Sequence, residues 1–137
     1  MTVVVAVSDN RESRNAFIQA IAEARLLGTD LVAVNLGAKA LSTEGTDTAG
    51  VQITVLDKGG SSDAADVVLN EIATRNAQRL VIGVKRRTPV GKVLLGSLSQ
   101  KLLLSSPVPV LAVKTPEEEF QSSALSEMPG GIPRVTG

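Results

Sequence analysis

The chain has 137 residues, a length typical of one domain, and 43% of them are hydrophobic although phenylalanine, at two positions, is the only aromatic residue. It contains no histidine and no cysteine, which excludes histidine-dependent catalytic triads, thiolate nucleophiles, disulfides and the usual zinc sites. The formal net charge is zero and no apolar run is long enough to cross a bilayer. We therefore expect a cytoplasmic protein without a signal peptide, a nucleic acid partner or a membrane partner.

The first half of the chain opens with an unbroken apolar run, Val3–Val7, which predicts a central strand of a parallel sheet. Asp9 follows this strand and can cap a helix. The helix itself is indicated by apolar residues at helical spacing: Phe17, Ala20, Ile21, Ala24 and Leu27. Residues 31–36 predict a second strand, residues 37–50 a loop, and the alternation in residues 51–55 a half-exposed strand at an edge of the sheet.

The second half contains two further helices and two further strands. Ser61 or Ser62 can cap a helix whose predicted buried face is Ala65, Val68, Leu69 and Ile72. Residues 79–83 predict a strand, and residues 84–92 a basic loop. A third helix is predicted to bury Leu94, Leu95, Leu98 and Leu102, and it leads through two prolines into a last strand at residues 108–113.

Strands that alternate with helices predict an α/β fold, here an open, doubly wound parallel sheet of five strands with helices on both faces. We expect one domain over residues 1–115, followed by a disordered acidic tail over residues 116–137, where periodicity is absent. Ligands of such sheets bind beyond the carboxyl ends of the strands. That rule predicts a crevice bordered by residues 6–9, Leu36 and residues 83–92.

The stretch from Ile82 to Ser99 carries the strongest functional signal. Gly83 and Gly96 bracket a passage from a strand into a helix that begins with serines at 97 and 99. Backbone N–H groups at a helix start and serine hydroxyls favour phosphate. Four cations lie beside them: Lys85, Arg86, Arg87 and Lys92. The alternative interpretation is a solvated basic loop, and the P-loop and dinucleotide-binding patterns are both absent.

This stretch resembles the signature G-x2-G-x9-G-[S/T] of ATP-binding universal stress proteins, with Gly83, Arg86 and Gly96-Ser97 at its fixed positions. The first strand and helix, the segment DAADVVLNEIATRNAQRLVIG and the closing strand SSPVPVLAVK are also similar to that family. The resemblance extends over about residues 2–114 and implies the strand order 3-2-1-4-5.

The resemblance also implies a ligand and the residues that hold it. The residues carried over from the family, which would bind ATP or a related adenine nucleotide with or without magnesium, are Ala6, Ser8, Leu36, Gly83, Gly96, Ser97, Leu98 and Ser99. The sequence itself adds Ile82 beside Gly83 and, from the basic loop, Lys85, Arg86, Gly91 and Lys92, whose cations could bind the phosphates. Two positions depart from the family pattern. Ser8 stands where the family usually has an aspartate, and Arg86 replaces the second signature glycine, where a positive φ would strain an arginine.

The function implied is a stress-response regulator that binds a nucleotide, signals through a protein partner, forms a homodimer through its last strand and hydrolyses ATP slowly at most. An alternative is a dimeric interaction module of the same fold that does not bind nucleotide and whose basic loop contacts an acidic partner. A third possibility is an enzyme that uses Asp9 and Asp63. Single carboxylates at loop ends are more often helix caps, so we expect a protein without enzymatic function.

Overall fold

The computed structural model describes residues 2–43, 45–58, 63–87 and 92–115, and the predicted tail at residues 116–137 lies outside them. The strands are β1 (Thr2–Val7), β2 (Asp30–Asn35), β3 (Ile53–Asp57), β4 (Ala77–Arg87), β5 (Lys92–Leu94) and β6 (Val110–Lys114). The helices are α1 (Arg11–Leu27), α2 (Ala64–Thr74) and α3 (Ser97–Ser105).

Five strands form a parallel sheet in the spatial order β3-β2-β1-β4-β6. Counted without the short β5, this is the predicted order 3-2-1-4-5, and the α/β fold is confirmed. The central strand β1 is buried along its whole length, whereas β3 at one edge is half-buried, as its alternating sequence predicted.

The basic segment after the fourth strand differs from the prediction of a loop. Strand β4 continues through Arg87, and its last residues pair antiparallel with β5, with Lys85 opposite Leu94 and Arg87 opposite Lys92. The prediction that Leu94 and Leu95 lie on the third helix is therefore wrong, because the backbone of Leu94 is paired with β4 and α3 begins only at Ser97. Of the residues predicted for that helix, Leu102 is buried and Leu98 half-buried.

The core has one layer on each face of the sheet. Helix α1 covers one face, where its buried side chains, among them Phe17 and Ile21, pack on the odd-numbered residues of β1. Helices α2 and α3 cover the other face and contribute Val68, Ile72 and Leu102. These contacts confirm the buried faces predicted for the first two helices, except that Leu27 and Leu69 are half-buried.

The helix caps fix where the helices begin. Asn10 caps α1, because its side-chain oxygen accepts a hydrogen bond from the backbone N–H of Ser13 at 2.8 Å. The prediction of Asp9 as this cap is wrong, since Asp9 Oδ2 accepts instead from the N–H of Ala38 at 2.8 Å. Helix α2 is capped by Asp63, not by a serine, and the predicted serines 61 and 62 lie outside the described residues.

Candidate functional site

A cavity of about 280 Å³ lies beyond the carboxyl ends of β1 and β4, where the loops that begin α1 and α3 meet. This is the place where an open parallel sheet normally binds its ligand. The cavity brings together eight of the residues predicted from sequence: Ala6, Ser8, Ile82, Gly83, Gly96, Ser97, Leu98 and Ser99. Four more residues line it that were not predicted as site residues: Asn10, Glu12, Ser13 and Leu102.

Gly83 allows β4 to pack closely against the backbone of the first turn of α1, beside the cavity. A Cβ atom at this position would lie 2.3 Å from the carbonyl oxygen of Glu12 and 3.0 Å from the backbone nitrogen of Ser13. Any side chain would therefore push the first turn of α1 away from β4. The space that a side chain would take at this position is filled by the backbone of α1.

Gly96 is a different kind of glycine. It is exposed, its backbone is extended with φ −66° and ψ 167°, and a Cβ added there would meet nothing within 4 Å. It precedes the first turn of α3, where no side-chain cap hydrogen bond is formed and no acidic residue is present. The N–H groups of that turn and the hydroxyls of Ser97 and Ser99 suit an anionic group, because a helix start carries partial positive charge.

The start of α1 lines the same cavity with polar and acidic residues. Asn10 uses its side-chain oxygen for the cap, and its N–H donates to the carbonyl oxygen of Ser8 at 2.9 Å, which forms a tight turn. Glu12 places a carboxylate-bearing residue among the lining residues, opposite the anion-favouring start of α3. An Asx residue shortly after the end of a strand, here Asn10 three positions after Val7, is the sequence signal for this turn. The contribution of the turn to the cavity depends on the packing of Gly83.

Other residues predicted for the site lie elsewhere. Leu36 lines a separate cavity of about 480 Å³ with Asp57 and Lys58. Lys85 is exposed in the β4–β5 hairpin. Arg86 lies in β4 opposite Val93, so its backbone is that of a paired strand, and Lys92 begins β5. Gly91 lies outside the described residues. Whether these residues bind a ligand stays a prediction.

The two carboxylates considered for catalysis both have structural partners. Asp63 accepts hydrogen bonds from the N–H groups of Ala65 and Asp66. The bond from Asp66, followed by the charge of Lys101, lowers the pKa of the Asp63 carboxyl from its ordinary value of 3.8.

The described residues contain no group of three or more carboxylate, histidine or cysteine side chains placed to hold a metal ion. No helix in the same ranges is long and apolar enough to span a membrane.

Comparisons with known proteins point to one family. The family model described as the Universal stress protein family matches residues 37–114. A relative from Mycolicibacterium smegmatis, described as a universal stress protein, is 54% identical over 52 residues, which is 38% of this chain and 40% of the relative. The matched segment therefore spans less than half of that relative's length.

Solved structures extend the similarity to most of the chain. A universal stress protein from Archaeoglobus fulgidus matches with a TM-score of 0.65 and 23% identity over 83% of this chain and 98% of its own. Another structure of a universal stress protein from that organism, in complex with dAMP, has a TM-score of 0.59 and 19% identity over 83% and 98%. A family protein from Arabidopsis thaliana with AMP bound has a TM-score of 0.56 and 16% identity over 87% and 94%. These likenesses show the fold.

Proposed function

Because the chain belongs to the universal stress protein family, whose model matches residues 37–114, we propose that the cavity between β1, β4 and the start of α3 binds an adenine nucleotide. The observation that carries the proposal is the start of α3. There, helix N–H groups without a side-chain cap and two serines face a cavity at the carboxyl end of a parallel sheet. Similar structures hold dAMP and AMP, which supports the same ligand class here.

The lining residues suggest how the nucleotide is held. Ser97 and Ser99, with the N–H groups of their turn, bind the phosphate. Ala6, Ile82 and Leu102 are buried apolar residues of the same cavity and contact the less polar part of the ligand. Ser8, directly after β1, supplies a hydroxyl that can donate or accept a hydrogen bond. The aspartate that the family usually has at this position could only accept one when ionised.

Glu12 bears on which nucleotide is preferred. Glu12 is one of the lining residues, and we propose that its negative charge disfavours a triphosphate more than a nucleotide with one phosphate. ATP therefore requires a compensating cation such as magnesium, whereas AMP or a cyclic nucleotide does not. The proposal therefore favours a mononucleotide, the class of ligand in the similar structures, over free ATP.

We further propose that the protein acts as a cytoplasmic regulator, not as an enzyme, and that the bound nucleotide changes its affinity for a partner, including a second copy of the chain. The described part of the cavity contains no histidine, and Glu12 is its one carboxylate-bearing residue, so any ATP hydrolysis is slow. The alternative is a module of the same fold that has lost the nucleotide and binds a partner through its basic hairpin. The exposure of Lys85 on that hairpin is compatible with the alternative.

A calorimetric titration with AMP, cyclic AMP, and ATP with and without magnesium tests the proposal. We expect saturable binding that is lost in Gly96→Val, because the new side chain would stand at the start of α3 and position 96 has room for it in the fold. Ser97→Ala should weaken binding, whereas Ser105→Ala, at the other end of the same helix, should not. Unchanged affinity in a folded Gly96→Val protein would show that the nucleotide binds elsewhere.

The same titration separates the competing functions. A folded wild-type protein that gives no heat at millimolar nucleotide supports the interaction module. Sustained release of ADP with multiple turnovers supports an enzyme. Glu12→Gln should raise the affinity for magnesium-free ATP more than the affinity for AMP. An equal change for both nucleotides would exclude a role for this charge in selecting between them.

A further inference from the structure

A second, larger cavity lies on the other side of the Ser8–Asn10 turn from the proposed nucleotide cavity. Its volume is about 530 Å³, and it is enclosed by the end of β1, the first turns of α1 and the loop that follows β2. Its lining residues are Val7, Ser8, Asp9, Asn10, Arg11, Arg14, Asn35, Lys39, Ala40, Leu41 and Ser42. Ser8 and Asn10 line both cavities.

The described lining residues carry more positive than negative charges, although the formal charge of the whole chain is zero. Arg11, Arg14 and Lys39 contribute three cations, and Asp9 is the one carboxylate among the described lining residues. In the part of the chain that the structure describes, neither Arg14 nor Lys39 is in an ion pair. Two such cations on one concave surface repel each other and favour an anion between them.

The charge of Asp9 offsets one of these cations, but among the described residues its carboxylate forms no ion pair with Arg14 or Lys39 and is directed at the loop backbone. Its Oδ2 atom accepts a hydrogen bond from the N–H of Ala38, and a Cβ at Gly37 would lie 2.0 Å from its Oδ1 atom. The absence of a side chain at Gly37 is therefore what allows the carboxylate to lie against the loop. The carboxylate ties the loop to the start of α1.

Asn35, the last residue of β2, holds the same loop through hydrogen bonds of its side chain. This buried residue donates from its amide nitrogen to the carbonyl oxygen of Lys39 at 2.8 Å and to Asp57 at 2.9 Å, and its side-chain oxygen accepts from the N–H of Gly37 at 3.1 Å. The backbone of Lys39 is thus held in place, while the Asn10 cap fixes the turn of α1 that carries Arg14. Cations on a fixed backbone lose less entropy when they bind a ligand.

We propose that this cavity is a second binding site, distinct from the nucleotide cavity, for a small phosphorylated molecule. Arg14 and Lys39 bind the phosphate, and Arg11 adds to the positive potential. The volume is in the range of small-molecule sites and exceeds what a bare phosphate needs. Val7, which is buried, and Leu41, which is half-buried, give the cavity an apolar part that contacts the remainder of the molecule.

Nuclear magnetic resonance with inorganic pyrophosphate as the probe tests this site at residue resolution. We expect saturable amide shifts at Arg11, Arg14 and residues 37–42, which lie at the second cavity and not at the first, separate from any shifts at residues 97–99. Arg14→Gln combined with Lys39→Gln should lower the pyrophosphate affinity measured from the shifts at the second cavity by about tenfold or more, since two charge-assisted contacts are lost. Both side chains are exposed, so the variant should keep the wild-type fold.

Two controls keep this site apart from the proposed nucleotide site. Arg25→Gln removes an exposed arginine about three turns further along α1 and should leave the pyrophosphate shifts unchanged. Gly96→Val should abolish shifts at residues 97–99 and retain those at Arg11, Arg14 and residues 37–42. Shifts confined to residues 97–99, an unchanged response in the Arg14 and Lys39 variant, or no saturation at millimolar pyrophosphate would each overturn the second site. None of these outcomes depends on whether the first cavity binds a nucleotide.

Discussion

Gly83 and Glu12 are in direct backbone contact where β4 meets the first turn of α1: a Cβ atom on Gly83 would stand 2.3 Å from the Glu12 carbonyl oxygen. Real Cβ atoms do not approach a backbone oxygen so closely, so one of the two elements would have to move. Both elements also line the proposed nucleotide cavity. The contact therefore connects the packing of the domain with the shape of its site.

Gly83→Ala should destabilise the protein by about 1–3 kcal/mol, the usual cost of forcing an extra group into a packed region. Gly96→Ala is the matched control, because a Cβ there meets nothing within 4 Å, and its effect should stay within about 0.5 kcal/mol. Urea unfolding of both variants measures the difference. Equal stability of the two variants would show that α1 can move away from β4 at no cost.

The fold and eight of the twelve residues that line the candidate cavity could be predicted from the sequence for a simple reason. Apolar runs and helical spacing report burial, and burial on two faces of a parallel sheet leaves few arrangements. Gly96, Ser97 and Ser99 were found because a helix start after a glycine is a local feature. The β4–β5 hairpin was missed because Lys85–Arg87 read as a solvated segment, and its pairing with residues 92–94 is a tertiary contact.

The N-cap of α1 is a second feature that depends on a tertiary contact and so could not be predicted from the sequence. Asp9 and Asn10 can both cap a helix, and the sequence alone does not rank them. The structure assigns the cap to Asn10 because Asp9 bonds to Ala38, which lies 29 residues away along the chain. Such a partner becomes visible only when the loop after β2 is placed against the start of α1.

The contact between Gly37 and Asp9 predicts a strong coupling between two substitutions. Gly37→Ala should cost about 1 kcal/mol, because the new methyl group displaces the Asp9 carboxylate and breaks its hydrogen bond to Ala38. In an Asp9→Ala background the same change should cost much less, since the clashing atoms are gone. A double-mutant cycle of urea unfolding measures this interaction. Additive effects would show that the two residues do not share the contact.

Asp63 makes stability depend on pH in the acid range. Its folded pKa lies below the ordinary value of 3.8, so its stabilisation is complete above that value and is lost as the pH falls through the lower folded pKa. Asp63→Asn keeps a good capping side chain but removes the charge. We expect wild type to be more stable than this variant at neutral pH, with a difference that shrinks below pH 3.8. A difference that stays constant with pH would contradict the assignment.

Self-association through β6 can be tested by a substitution that spares the parallel sheet. The backbone N–H of Leu80 donates to the Pro109 oxygen, and that of Thr115 donates to the Val84 oxygen. The backbone N–H and C=O groups of the odd-numbered residues of β6 are therefore directed at β4. Since strand residues alternate, the N–H of Ala112 faces the edge away from β4. Ala112→Pro should therefore weaken a dimer formed by pairing of these edges while the monomer stays folded, because proline removes a donor that the sheet does not use. Leu111→Pro removes a donor that faces β4 and should destabilise the monomer itself. Light scattering and thermal unfolding of both variants check this difference, and an Ala112→Pro protein with the wild-type dimer mass would exclude edge pairing as the mode of association.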